Sequence, residues 1–370
     1  MGDTGLEGTI DVSDSLTLPL DRVGEVAGPA SVFPTPRGVL LSRQGSLGLY
    51  EPDLSHALWR RDEPESGSWP RVLCRGETFV AGPFDGEIRE YDLASGCVRR
   101  RIPHRRSGLV LGASQGRLLI GNARERTLNA VDSTGHIAWS CPLGWGKVIA
   151  TESVVLQAEE LNTAVRCIEA NSGKTLWRTA LVAPGKATAN YVRSLAIVGR
   201  DAIAIGADYR VMVLSIADGQ IQRETVSAVG GRARVSKDHV YFAQAGGMSI
   251  IELTSLREVC RVDYAKEFDS VSLPRPTGVC GFCVSRSTLV WSDAAGMMCG
   301  ATLFTSTPRV WRDMLPGVLV RRGVHPVAHG SYVYYPCTST NLRDTTLVAW
   351  ASSSANPDAA ELVRVPAVLT

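Results

Sequence analysis

The stretch CIEANSGKTLW, residues 167–177, has two echoes in the same chain, AVDSTGHIAW at 130–139 and, more loosely, LYEPDLSHALW at 49–59. Each writes an apolar pair, an acid, a turn of small residues and a tryptophan. Glycine after the small residues supplies the positive φ of a tight hairpin. The acid ahead of it can accept backbone N–H groups at the turn. The tryptophan then opens a strand with a large apolar surface to bury.

Working outward, positions equivalent to that tryptophan are Trp59, Arg100, Trp139, Trp177, Arg223, Cys260 and Trp311, at gaps of 37 to 51 residues. A period of this length suits the blade of a propeller better than a leucine-rich or ankyrin unit. Between these positions the grammar repeats: a β-rich run such as RLLIG (117–121) or AIAIG (202–206), a turn, a second strand such as EIREYD (87–92) or RVMVLS (210–215), then the turn with Gly96, Gly135, Gly173 or Gly219. One four-stranded sheet has two apolar faces and covers neither; repetition about an axis buries both. The expected fold is all-β, an eight-bladed β-propeller of four-stranded antiparallel blades, with a seven-bladed count as the alternative. A single domain is expected over residues 1–370. Blades fill 28–366, and spare strands within 1–27 are available to complete the last blade.

YDLASGCV, VDSTGHIAW and EANSGKTLW together resemble the quinoprotein-type propeller repeat of the pyrroloquinoline-quinone alcohol dehydrogenases and of the lipoprotein of the outer-membrane β-barrel assembly machinery. The resemblance spans about residues 28–366 and implies the fold. The motif is structural in every blade, so it carries no activity with it. The chain lacks the vicinal cysteine pair of the quinone enzymes, and its first cysteine is Cys74. No cofactor is therefore expected.

Of 370 residues 44% are hydrophobic and 21% charged, which excludes wholesale disorder. A net charge of +2 gives no global attraction for nucleic acid. The acidic beginning MGDTGLEGTIDVSDSLTLPLD has no signal-peptide pattern, and no apolar run is long enough to span a bilayer. With nine scattered cysteines this points to reduced thiols in the cytoplasm and to no membrane partner. A monomer is expected.

The first strand of a propeller blade lines the axial channel. Near the same place in seven of the eight units stands a basic or imidazole residue: Arg71, Arg106, Lys147, Arg193, Arg232 or Arg234, Arg275 and His325. Aromatic residues accompany three of them, Trp69, Trp145 and Tyr191. Cations converging on a narrow opening focus a positive potential, and arginine forks hold carboxylate or phosphate. The expected function is a binding module or scaffold with a basic mouth for an anionic small molecule or protein partner. The competing expectation is solvated rim residues paired with loop acids. The alternative function is a cofactor-independent cyclase, isomerase or lyase of bacterial specialised metabolism, with Tyr191 or His325 moving a proton. Cys280 and Cys283 with His325 and His329 have the residue types of a zinc site. In a strand, however, residues three apart face opposite sides, so no metal is expected.

Overall fold

The computed structural model describes residues 20–27, 31–43, 45–63, 71–84, 86–103, 108–122, 124–144, 147–159, 163–181, 192–206, 208–227, 232–236, 238–244, 247–263, 279–285, 288–293, 297–303, 309–314, 318–319, 326–339, 345–352 and 363–364. No helix occurs among them, and every strand pairing is antiparallel.

The first described strand is β1 (Leu20–Ala27). The first blade is β2 (Ser31–Thr35), β3 (Gly38–Arg43), β4 (Ser46–Tyr50) and β5 (Ala57–Asp62). The second is β6 (Arg71–Arg75), β7 (Thr78–Phe84), β8 (Glu87–Asp92) and β9 (Val98–Pro103), and the third β10 (Gly108–Ser114), β11 (Arg117–Asn122), β12 (Thr127–Val131) and β13 (Ile137–Pro142). The fourth is β14 (Val148–Ala150), β15 (Val154–Ala158), β16 (Ala164–Glu169) and β17 (Thr175–Ala180). Then come β18 (Val192–Val198), β19 (Asp201–Gly206), β20 (Arg210–Ser215) and β21 (Ile221–Val226), followed by β22 (Arg232–Ser236), β23 (His239–Gln244), β24 (Gly247–Glu252) and β25 (Glu258–Asp263). The seventh blade is β26 (Val279–Ser285), β27 (Thr288–Asp293), β28 (Met297–Thr302) and β29 (Arg309–Met314). The eighth is built from β30 (Val318–Leu319), β31 (Val327–His329), β32 (Tyr332–Ser339) and β33 (Thr345–Ser352), and a last short strand is β34 (Val363–Arg364). Eight sheets of this kind make the all-β, eight-bladed propeller that the repeat demanded.

β1 begins at Leu20 and pairs with β33 from Leu20↔Ser352 to Ala27↔Thr346, so the eighth blade takes its outer strand from within residues 1–27. One detail differs from the sequence reading. β34 joins the seventh sheet, on β29, rather than the eighth. A two-residue strand has no period by which sequence could assign it.

The described residues fall into two compact units, one drawn from 63–228 and 233–238, the other from 10–62, 229–232 and 239–370. Within each, neighbouring sheets bury apolar faces against one another. In the first unit Val80 and Ile88 meet Val110 and Ile120; Leu119 and Leu128 meet Val155 and Ile168; Leu156 and Cys167 meet Leu195, Ala204 and Met212. In the second, Tyr241 and Ile250 pack on Phe282 and Trp291, Val290 and Met298 on Tyr335 and Trp350, and Val39 and Leu41 on Tyr334 and Leu347. Burial of each Val, Leu, Ile, Met or Phe among them contributes about 1.5–3 kcal/mol.

The opening motif has a physical reading at each position. In six outer strands one residue bulges out of register: Leu58, Arg99, Ala138, Leu176, Gln222 and Val259. Each stands directly before the tryptophan-equivalent position. A bulge bends and twists its strand, so Leu58 and Leu176 are left half-exposed while the following position turns inward. The Trp139 indole N–H donates to the Ala170 carbonyl of the next blade (2.9 Å), and the Trp177 N–H to that of Ile216 (2.7 Å). Under each ring lies the next turn's glycine, Gly173 or Gly219, both at φ +73°, and a Cβ on Gly173 would come 2.7 Å from the Trp139 ring. Glycine is thus required twice, for its backbone conformation and for the space.

The turn acids act as the spacing implies. Asp92 accepts from the Ser95 hydroxyl (2.8 Å) and N–H (2.9 Å), and Asp132 from the Thr134 hydroxyl (2.6 Å) and N–H (2.8 Å). The Ser95 hydroxyl, then its N–H and Arg99, hold the Asp92 carboxyl down at about 2, and Thr134 lowers that of Asp132. A carboxyl whose folded value lies below its unfolded one adds stability above the unfolded value, lost as pH falls through the folded one. The unfolding midpoint should therefore hold level from neutrality to about pH 4.5 and drop between about pH 4 and 2. Asp92→Asn with Asp132→Asn should flatten that drop; an unchanged acid limb in the double variant would refute this role of the turn acids.

Candidate functional site

In the first unit the leading strands of successive blades lie side by side: β10 packs against β6, and β14 against both β10 and β18. Of the basic residues singled out in sequence, Arg71, Lys147 and Arg193 fall at the leading ends of β6, β14 and β18. Arg71 opens β6 opposite Gly82. Lys147 stands just before β14, where its carbonyl accepts the Ala158 N–H (3.0 Å). The two pairs are the same number of residues from their hairpin turns, so Arg71 and Lys147 occupy one level of their blades. In β18 that level belongs to Ser194, opposite Ile205, and Arg193 is the unpaired residue of a bulge immediately before it. Bulges re-aim side chains and recur beside binding sites.

Lys147 and the Arg193 bulge thus lie at the leading ends of adjacent strands, with Arg71 at the matching level two strands along. Arg232 opens β22 and Arg234 lies within it, half-buried. Trp69, Trp145, Tyr191, Arg275, His325 and Arg106 lie outside the described residues.

The connector that carries Lys147 is fixed by groups the sequence reading passed over. The carbonyl of Pro142 accepts the Arg166 guanidinium (2.5 Å) and the Gln157 amide (3.3 Å), and Arg166 also donates to the Gln157 side-chain oxygen (2.9 Å). Gln157 is fully buried, so its amide needs such partners. Leu143 N–H donates to the Arg126 carbonyl (2.7 Å). Gly144 lies so close to the Ala158 carbonyl and the Glu159 backbone that a Cβ there would collide with both. These contacts hold the start of the short segment between β13 and β14. No residue type here is unusual by itself, and only the pairing of Gln157 with Arg166 in the β15–β16 register would have drawn attention to it.

Among the described residues the most buried ion pair also has no signal in the sequence. Arg89 on β8 is buried and binds Glu63 and, through Nε, Glu87 (2.5 Å), which also accepts Arg101 (2.6 Å). Burial, then the Glu63 carboxylate, pushes the neighbouring Tyr91 phenol up. This cluster pins the segment after β5 to the face of the second blade.

Cys283 is buried in a core cluster, Cys280 is the bulge residue of β26, and His329 lies on β31. Among the described residues no group of three or more His, Cys, Asp or Glu side chains is placed to hold a metal ion. Burial raises the thiols of Cys74 and Cys167 to about 11 and that of Cys337 to about 12, as for packing residues rather than nucleophiles.

The family model described as outer membrane protein assembly factor BamB matches residues 43–296. No curated protein matches the chain. Among solved structures, BamB from Moraxella catarrhalis is similar at TM-score 0.62 and 13% identity, over 92% of this chain and 99% of that one. The computationally designed Ika8 protein matches at TM-score 0.58 and 16% identity, over 93% and 99%. The C-terminal WD40 domain of Sif2 matches at 0.62 and 9%, over 90% and 98%. At such identities the likeness is one of fold.

Proposed function

Since the chain belongs to the family of the outer membrane protein assembly factor BamB, we propose that it is a binding module or scaffold that meets an anionic ligand or acidic partner surface with the leading ends of its first strands. The observation that carries this reading is the shared level of Arg71 and Lys147 with the Arg193 bulge beside it, on leading strands that pack in a row. Positive charge gathered along one rim attracts carboxylate and phosphate groups, most strongly at low ionic strength. The bond from the Ala158 N–H to the Lys147 carbonyl supports the reading further, because a backbone already fixed leaves less to order on binding. The enzymatic alternative rests on Tyr191 and His325, both outside the described residues, and no described observation favours it over binding.

Thermal unfolding in citrate, inorganic phosphate and a poly-glutamate peptide tests the proposal. At a hundredfold excess over Kd a bound anion stabilises by about 2.7 kcal/mol. A rise in midpoint with at least one probe is expected, diminished by salt and lost in the Lys147→Ala/Arg193→Ala variant. Identical curves with all three probes, or a full shift in the variant, would overturn it.

A further inference from the structure

The seventh blade carries one strand too many. β26 to β29 complete it, yet β34, from near the end of the chain, pairs antiparallel with the outer edge of β29. In no other described sheet does a further strand lie outside a complete blade's outer strand: β1 is itself the outer strand of the eighth, whose additional strand β30 sits on β32.

The pairing is slight. Two register positions hold it, Arg309↔Arg364 and Val310↔Val363. So short a ladder forms few backbone hydrogen bonds, each of modest net worth. The first position opposes two arginines, and like charge directly across a ladder disfavours pairing. β29 runs on through Met314, and along that remainder its outer edge meets no other described strand. An edge of this kind is a template for an incoming strand, and proteins that leave one open do so at a risk. Here the edge is held in cis by a segment that is mismatched at one of its two positions.

We infer that the outer edge of β29 is a docking site for an extended peptide segment of a partner protein, one that sets a carboxylate residue opposite Arg309 and a β-branched residue opposite Val310. The chain's own tail covers the edge until that strand displaces it. Main-chain hydrogen bonds supply the affinity of such strand addition and the alternate side chains its selectivity. The site lies in a different part of the chain from the basic leading ends and is independent of them.

Two fluorescent peptides serve as probes: the tail sequence ELVRVPAVLT (361–370) and its R364E counterpart. Their anisotropy is followed on the full chain and on full-length variants. The R364E peptide should bind the unaltered chain roughly five-fold more tightly than the tail peptide. Val363→Pro, which spoils the tail's pairing without touching the blade, should tighten both. Arg309→Glu should reverse the preference, and Arg309→Gln should abolish it. Failure of both peptides to bind the Val363→Pro chain would overturn the inference. So would a carboxylate preference that survives Arg309→Glu and Arg309→Gln.

Discussion

Trp177→Ala should destabilise the protein by about 3–5 kcal/mol, among the largest effects of any single truncation. Trp177 is 9% exposed in a core shared by β16, β19 and β20. Its N–H satisfies the Ile216 carbonyl, and its ring roofs Gly219, whose own carbonyl accepts the Thr179 hydroxyl (2.6 Å). Truncation both empties the space and takes the indole N–H from the Ile216 carbonyl. Trp177→Phe keeps most of the apolar surface and loses the N–H, so it should cost less, with about 1 kcal/mol from the hydrogen bond. Urea unfolding of both variants measures the difference. A loss below about 1 kcal/mol for the alanine variant would show that the ring does not join the blades as described.

Arg89→Leu should be nearly as damaging, at about 3–5 kcal/mol, for an electrostatic reason. The Glu63 side chain is 1% exposed and that of Arg89 is 9% exposed. Removing the guanidinium leaves a buried carboxylate without its counter-charge. Adding Glu63→Leu removes the stranded charge, and the double variant should recover most of the loss. If it is no more stable than Arg89→Leu alone, packing rather than charge governs the cluster. The neighbouring Glu87 retains Arg101 in both variants and should not confound the comparison.

What sequence could disclose follows from what recurs. The tryptophan, the glycine turn and the acid appear blade after blade, so Trp139, Trp177, Gly173, Gly219, Asp92 and Asp132 could be given roles from spacing alone. The level shared by Arg71 and Lys147 was legible for the same reason. Arg193 was legible as a basic residue but not as a bulge, because one extra residue in a strand leaves no trace in an apolar period. The clasp of Glu63 with Arg89 joins residues 26 apart and occurs once; nothing periodic announces it. Gln157 with Arg166, and β34 on β29, were hidden likewise: each is a single pairing fixed by tertiary register.

The joint between β1 and β33 bears on how the chain is born. Leu20–Ala27 is made well before its partner Thr345–Ser352, with more than three hundred residues between the two. Until that partner exists β1 is without the mate it has in the fold, and a loop of more than three hundred residues must close before the two meet. Closure of the eighth blade therefore waits on the kind of long-range contact that slows folding.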